Sequence, residues 1–122
     1  MKQNYYISVV IPVEEINDKL FKCLNYLYKN NNNFHKFETI IVCQTRNYYQ
    51  INKIYKTYIN LQIINIKQKN LCTAYNIGAK ISKGNIVAFL SDDCYPRQNW
   101  LKEINNSFKN RSHVCITGNT LP

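Results

Sequence analysis

Residues 85–101 read NIVAFLSDDCYPRQNWL, and this stretch decides how the chain is interpreted. Residues 85–90 are almost all apolar and predict a buried strand. That strand runs directly into Ser91-Asp92-Asp93, and a turn with Pro96 follows. Adjacent carboxylates repel each other, so they occur in open water or where a cation lies between them and a ligand. The stretch therefore indicates a strand that ends either in a solvated turn or in a cation site.

The rest of the chain alternates short apolar runs with stretches of helical periodicity. The apolar runs predict strands at residues 6–12, 38–43, 61–66, 85–90 and about 113–117. The periodic stretches predict helices at residues 18–28, 48–59, 72–82 and 98–109. Continuously apolar strands that alternate with helices indicate an α/β fold, with a mostly parallel β-sheet and helices on both faces. We expect residues 1–122 to form a single domain, because this length suffices for one core.

The parallel sheet gathers separate loops at one edge. The carboxyl ends of parallel strands lie together, and ligands of α/β sheets bind there. Four loops should meet at this edge: Val13-Glu14-Glu15, Cys43-Gln44-Thr45-Arg46, Lys67-Gln68-Lys69-Asn70 and Ser91-Asp92-Asp93-Cys94. Because Mg²⁺ and Mn²⁺ bind carboxylates of the protein together with phosphates of a substrate, the acids and lysines of these loops predict a metal-bridged diphosphate. The alternative is a solvated edge, in which the acids form a turn or a helix cap and the lysines lie in water.

The net charge of +9 would attract phosphates of a membrane surface, a nucleic acid or a diphosphate substrate. However, Asn, Ile, Lys and Tyr dominate the composition, as in proteins of AT-rich genomes, and the lysines are scattered. We favour composition as the cause of the charge. Peripheral membrane contact is the next alternative, and nucleic acid is the least favoured partner, because the tyrosines form no stacking stripe.

The cysteines and the apolar segments indicate a cytoplasmic protein. The five cysteines, at positions 23, 43, 72, 94 and 115, include no C-x-x-C pair, so their spacing suits neither a zinc site nor a disulfide scaffold. No stretch approaches the roughly 18 apolar residues of a membrane span. The run ISVVIPV near the start is too short for the core of a signal peptide and is followed by acids.

Four segments together resemble a known family. They are SVVIP at 8–12, ETIIV at 38–42, TAYNIGAKISKG at 73–84 and IVAFLSDDCYPRQNWL at 86–101. In order and spacing they resemble the N-terminal, nucleotide-sugar-binding half of the family 2 inverting glycosyltransferases. The resemblance covers nearly the whole chain. It implies the Rossmann-like half of a GT-A fold, with sugar transfer from a nucleotide-diphospho-sugar and Mg²⁺ or Mn²⁺ as cofactor.

The resemblance also suggests roles for individual residues. The last acid of the family's acidic triplet holds the metal, so Asp93 is the expected metal ligand and Asp92 the neighbour that assists it. Ser91 replaces the first acid and is expected to bond a ribose hydroxyl. The residues expected to contact the nucleotide-sugar are Val13, Glu15, Gln44, Lys69, Asn70, Ser91 and Asp92.

The chain also departs from the family pattern. Val13-Glu14-Glu15 replaces the usual Thr-Tyr-Asn, and Cys43-Gln44-Thr45-Arg46 replaces the usual Asp-Asp-Gly-Ser. Gln44 would therefore meet the base as a neutral amide where the family has an acid. Tyr75 replaces an arginine and Asn70 replaces a glycine. These changes affect base recognition most, and they leave open both a nucleotide other than the uridine type and a loss of activity.

No residue of the chain is identified as the general base. In the family this carboxylate lies in the acceptor half, which we expect to be absent from these 122 residues. His35 and His113 are expected at the opposite edge of the sheet, and Glu14 and Glu15 are not expected to act in catalysis. Three hypotheses remain. The chain is a glycosyltransferase or its donor-binding half, with the acceptor unidentified; a truncated or degenerate module that binds a nucleotide or a partner without turnover; or a basic domain held on membrane or nucleic acid by charge.

Overall fold

The computed structural model describes residues 4–44, 46–67, 70–110 and 115–119. Within these residues, strands and helices alternate along the chain. The elements are β1 (Ile7–Val13), α1 (Asp18–Asn30), β2 (Phe37–Cys43), α2 (Tyr48–Thr57), β3 (Leu61–Asn65), α3 (Leu71–Ile81), β4 (Ile86–Phe89) and α4 (Trp100–Asn110). The predicted order of these four strands and four helices is confirmed. Most of their ends differ from the predicted ends by one or two residues.

The predicted fifth strand is not found in the part of 113–117 that the structure describes. Residues 115–119 have no regular secondary structure, and residues 113 and 114 lie outside the described residues. Cys115 and Thr117 are exposed and Ile116 is only half-buried. A strand of this length is stable only when it buries a side-chain face and pairs its backbone, and the described residues 115–117 do neither.

The four described strands form one parallel sheet in the order β3-β2-β1-β4. The chain steps outward from β1 to β3 and then returns to place β4 on the free side of β1. Right-handed crossovers put the outward and returning helices on opposite faces of such a sheet. Buried side chains of α1, α2 and α4 accordingly share one core cluster, and α3 packs in a second cluster with Val10, Ile40 and Val42. The α/β fold with helices on both faces is confirmed.

Pro12 opens a crevice beside the central strand. β1 pairs with β2 up to Val13 but with β4 only up to Val10. The carbonyls of Tyr6 and Val10 accept hydrogen bonds from the β4 side. Because every second residue of a strand faces the same neighbour, the backbone of Pro12, two residues beyond Val10, faces that side too. Proline has no N–H with which to continue the ladder. The chain after β4 therefore separates from β1 and leaves a gap at the carboxyl edge.

The opposite edge of the sheet is tied by a buried polar network. The Glu38 carboxylate accepts hydrogen bonds from the Ser8 hydroxyl (2.6 Å) and the Lys83 N–H (2.8 Å). The Ser8 oxygen in turn accepts the Gly84 N–H at 2.8 Å. These bonds join the amino ends of β1 and β2 to the residues that lead into β4, and so they fix where β4 enters the sheet.

The asparagine-rich segment at the end of α1 holds α4 and the residues before it. The buried side chain of Asn31 accepts the Leu101 N–H at 2.8 Å and donates to the Leu27 carbonyl at 2.9 Å. The Asn30 amide donates to the Pro96 carbonyl at 2.9 Å. This segment therefore anchors the chain that follows Ser91-Asp92-Asp93.

Substitution of Gly84 by alanine should destabilise the fold. A Cβ at this position would lie 2.7 Å from the Ser8 nitrogen, the Ser8 hydroxyl and the Tyr6 carbonyl, two of which are backbone atoms that cannot move aside. We expect Gly84→Ala to lower the free energy of unfolding by about 1–3 kcal/mol in urea denaturation. Gly118→Ala is the control, because a Cβ there meets nothing within 4 Å. Equal stability of the two variants would contradict this account of the β4 entry.

Candidate functional site

An open cleft of about 390 Å³ lies at the carboxyl edge of the sheet. It follows the crevice that opens beside β1 beyond Val10. The end of β1, the start of α1, the end of β2, one side of α3 and the loop after β4 all contribute to it. The lining residues are Pro12, Val13, Glu14, Glu15, Asn17, Lys19, Gln44, Leu71, Ala74, Tyr75, Ser91 and Asp92.

The structure brings together most of the residues selected from the sequence. Val13, Glu15, Gln44, Ser91 and Asp92 all line the cleft. They come from the ends of three neighbouring strands, and Gln44 is held beside β1 by the bond from its N–H to the Val13 carbonyl at 3.4 Å.

Three selected residues are not among the cleft-lining set. The Asn70 side chain caps α3 by accepting the Cys72 N–H (2.9 Å) and the Thr73 N–H (3.4 Å). Asp93 is exposed at the cleft's side. Lys69 lies outside the residues that the structure describes.

The segment Ser91–Cys94, which we call the acid loop, is a tight turn. It is closed by the Cys94 N–H, which donates to the Ser91 carbonyl at 3.1 Å. The Ser91 hydroxyl donates to Asp93 Oδ1 at 2.7 Å, and the Cys94 thiol lies 3.8 Å from the same oxygen. These contacts fix the exposed Asp93 carboxylate beside Ser91 at the cleft's side, and Asp92 lines the cleft itself.

The two adjacent acids have opposite pKa shifts. Burial raises the pKa of Asp92, and the charges of Asp93 and Glu14 add to this effect, whereas the charge of Lys19 opposes it. The hydrogen bond from Ser91 is the main cause that lowers the pKa of Asp93. The turn therefore stabilises one ionised carboxylate and places a second, more basic one in the cleft.

Helix α1 contacts the acid loop through Cys23. The buried Cys23 thiol donates a weak hydrogen bond to the Ser91 carbonyl at 3.7 Å. Burial raises the Cys23 pKa to about 12, so the sulfur stays protonated and keeps its donor role at neutral pH. No disulfide bond joins the described cysteines.

Helix α3 forms the opposite wall of the cleft. It can approach β1 closely because Gly78 lacks a Cβ, which would lie 2.3 Å from a Val10 methyl group. The Tyr75 ring stands edge-on against the Phe89 ring with 4.9 Å between their centroids. Burial raises the Tyr75 pKa, so this residue presents a neutral phenol to the cleft.

The acid loop provides the donor atoms for a hard divalent cation. Within the described residues no group of three or more His, Cys, Asp or Glu side chains could hold a metal ion on its own. Asp92 and Asp93 offer carboxylate oxygens, which Mg²⁺ and Mn²⁺ prefer. Such ions keep open positions for substrate phosphates, so two protein carboxylates fit this type of site.

Lys19 and Asn17 line the cleft although the sequence analysis gave neither of them a site role. Asn17 caps α1 by accepting the Lys19 N–H at 3.1 Å. The available signal was position, because the first turn of a helix that follows a strand lies at the carboxyl edge of the sheet.

His35, the histidine that the structure describes, does not line the cleft. His35 precedes β2 at the amino edge and lines a separate cavity of about 240 Å³ with Tyr28, Phe34 and Ile59. His113 lies outside the described residues.

None of the helices in the described part of the chain combines the length and the hydropathy of a membrane-spanning segment.

Comparisons with known proteins agree with this architecture. Residues 8–121 match the family described as Glycosyl transferase family 2. The glycosyltransferase AglE of Haloferax volcanii is 34% identical over 101 residues, which cover 80% of this chain and 33% of AglE.

Solved structures share the fold at low sequence identity. The structure of S. aureus TarS 1–349 matches with a TM-score of 0.75 and 21% identity, over 95% of this chain and 38% of that one. A mannosyltransferase of Pyrobaculum calidifontis, PcManGT, solved with GDP-Man and Mn²⁺, matches with a TM-score of 0.72 and 15% identity, over 88% of this chain and 32% of that one. The chain thus spans about a third of the length of these proteins.

The matched family extends over nearly the whole chain, and the parallel sheet, the cleft at its carboxyl edge and the acid loop agree with it. The chain belongs to glycosyltransferase family 2 and has the fold of the N-terminal half of a GT-A enzyme.

Proposed function

We propose that this chain binds the nucleotide-diphospho-sugar donor of a glycosyltransferase in the cleft at the carboxyl edge of the sheet. The observation that carries the proposal is the convergence of Val13, Gln44 and Asp92, from the ends of β1, β2 and the chain after β4, on one cleft. The related TarS and PcManGT have been solved with UDP-GlcNAc and with GDP-Man and Mn²⁺, respectively, which supports a donor of this class.

The cleft suggests a division of roles along the donor. Gln44 lies at the end of β2, and its neutral amide would bond the edge of the base. Val13 and Glu15 flank the base and ribose, and Ser91 bonds a ribose hydroxyl. Lys69 and Asn70, on the segment before α3, would lie on the diphosphate side.

We propose that Asp93 and Asp92 share a Mg²⁺ or Mn²⁺ ion with the diphosphate. The ion would neutralise charge on the departing diphosphate, which is the electrostatic help that this leaving group needs. On the protein side, the hydrogen bond from the Ser91 hydroxyl favours the ionised form of Asp93, which is the form that binds a metal. Asp92 presents its carboxylate from within the cleft.

The acceptor and the general base would come from the rest of a longer enzyme. A base must reach the acceptor hydroxyl within hydrogen-bond distance, and we assign that role to no described residue of this cleft. A second candidate function follows from the departures at Glu14, Glu15 and Gln44, which replace the family's usual base-binding residues. In that case the chain is a non-catalytic module that binds a nucleotide or a partner, and the absence of product with a panel of acceptors would favour it.

We also propose a cytoplasmic protein that touches a membrane through α2. Residues 46–60 contain Arg46, Lys53 and Lys56 but no acid, and Tyr48 and Tyr49 are 68% and 75% exposed. Basic and aromatic side chains on one surface suit the interface of anionic lipid. Sedimentation with phosphatidylserine vesicles should therefore carry the chain down, and a variant with Tyr48→Ser and Tyr49→Ser should stay in solution. Equal sedimentation of both would contradict membrane contact at α2.

Binding of nucleoside diphosphates should depend on metal and on the acid loop. We expect calorimetry to show that UDP or GDP binds more tightly with Mn²⁺ than with EDTA. Asp93→Ala should weaken binding in Mn²⁺ by at least about tenfold, because even indirect supports of a metal cost this much when they are removed. Glu103→Ala is the control, since this exposed acid lies on α4 outside the cleft. Binding that ignores both Mn²⁺ and Asp93 would refute the metal proposal.

The Ser91 hydroxyl should control the ionisation of Asp93. Its hydrogen bond favours the charged carboxylate, so Ser91→Ala should raise the Asp93 pKa towards the ordinary value for aspartate. The carboxyl carbon signal of Asp93, followed by NMR through an acid titration, measures this shift. Ser82→Ala removes a hydroxyl that donates to the Ala79 carbonyl far from the acid loop, and it should leave the Asp93 titration unchanged. An unaltered titration in Ser91→Ala would show that the turn does not set the charge of Asp93.

A further inference from the structure

Lys19 is the only basic side chain among the described residues that line the cleft. It lies in the first turn of α1, directly across the loop from the end of β1. Three carboxylates, those of Glu14, Glu15 and Asp92, line the same cleft. A diphosphate donor carries two negative charges or more at neutral pH, so this cleft would repel it unless positive groups compensate.

This chain has a neutral side chain at a position where the pattern of family 2 glycosyltransferases has an arginine. The residue at this position is Tyr75. Burial raises the Tyr75 pKa, so its phenol adds no charge of either sign near pH 7. Among the described residues that line the cleft, the positive charge comes instead from Lys19, on another wall.

The ammonium of Lys19 is available for a ligand. It makes no hydrogen bond or ion pair with any residue that the structure describes. Its charge nevertheless lowers the pKa of both Asp92 and Asp93, which places it within electrostatic reach of the acid loop. Because the Lys19 ammonium lies near these two acids without forming an ion pair with either, it can still bind an anion in the cleft.

The backbone at the start of α1 is not an alternative anion site. The Asn17 side chain already accepts the N–H groups of Lys19 at 3.1 Å and of Leu20 at 3.4 Å. These donors would otherwise be the ones that a helix offers to a phosphate. At this wall of the cleft, the Lys19 side chain is therefore the group that can bind an anion.

We propose that Lys19 binds the diphosphate of the donor from the α1 wall and supplies the positive charge that Tyr75 does not. The inference rests on the proposed donor site and adds to it a residue outside the family's pattern. An ammonium is a point charge on a flexible stem, so it can follow a diphosphate whose position is set by the metal and the acid loop.

The closing experiment compares ligands that differ only in phosphate number. Binding of UMP, UDP, GMP and GDP is measured by calorimetry in Mn²⁺ with the 122-residue chain. Lys19→Met keeps the length of the side chain and removes its charge. We expect it to weaken UDP or GDP binding by about tenfold, the usual scale for a lost charged hydrogen bond, and to weaken UMP or GMP binding much less. Lys19→Arg should retain most of the diphosphate affinity.

Lys22 provides a matched control on the same helix. Its ammonium lies 4.6 Å from the centroid of the Tyr95 ring and does not line the cleft, so Lys22→Met should leave all four affinities unchanged. Equal thermal unfolding of the Lys19 and Lys22 variants would show that a loss of binding is not a loss of fold.

The outcomes separate this inference from the proposed function. If wild type binds diphosphates in Mn²⁺ and Lys19→Met binds them equally well, the inference is wrong and the donor site stands. If Lys19→Met instead binds Mn²⁺ more tightly and diphosphates unchanged, Lys19 only balances the acids, and the inference is again wrong. If wild type binds no nucleotide in Mn²⁺, the proposed function fails and the role of Lys19 fails with it.

Discussion

The central position of β1 is the constraint on which the rest of the structure depends. This strand pairs in parallel with β2 on one side and β4 on the other, and it is buried along its whole length. The two strands that flank β1, which are β2 and β4, are far apart in the sequence, and their pairing with β1 brings Gln44 and Asp92 to the same cleft. The Ser8–Glu38–Gly84 network at the amino edge fixes the entry of β4, so it indirectly sets where the acid loop lies.

The cleft combines this geometry with an unusual distribution of charge. Among the charged residues of its described lining, three are acids and one is a base, although the chain as a whole carries a net charge of +9. The fold gives the two adjacent aspartates different surroundings: Asp92 is partly buried in the cleft, and Asp93 is exposed at its side and hydrogen-bonded by Ser91. An acidic cleft that takes an anionic donor requires cations, and we propose the divalent ion, Lys19 and Lys69 for this role. The same charges would make an empty cleft unfavourable to phosphates, which links donor binding to the metal.

Much of this arrangement could be predicted from the sequence, and the remainder depends on side-chain detail. Apolar runs and helical periodicity located all eight described elements, and the rule for parallel sheets brought Val13, Gln44 and Asp92 to one edge. The position of the Asp93 carboxylate depends on a hydrogen bond from Ser91 within a four-residue turn. Asn70 is a helix cap because its side chain accepts two backbone N–H groups in the first turn of α3. Periodicity does not reveal such contacts. It also placed Lys19 on a helix without indicating that the first turn of that helix faces the cleft.

Paramagnetic broadening by Mn²⁺ tests the central claim most directly. Backbone amide signals of the chain, recorded by NMR with a nucleoside diphosphate and substoichiometric Mn²⁺, report distance from the bound ion. The account predicts the strongest broadening at residues 91–94, weaker broadening at Glu14 and Gln44, and none at Phe37 and Gly84 on the opposite edge. Broadening centred on the amino edge, or none near the acid loop, would contradict a donor site at the carboxyl ends of β1, β2 and β4.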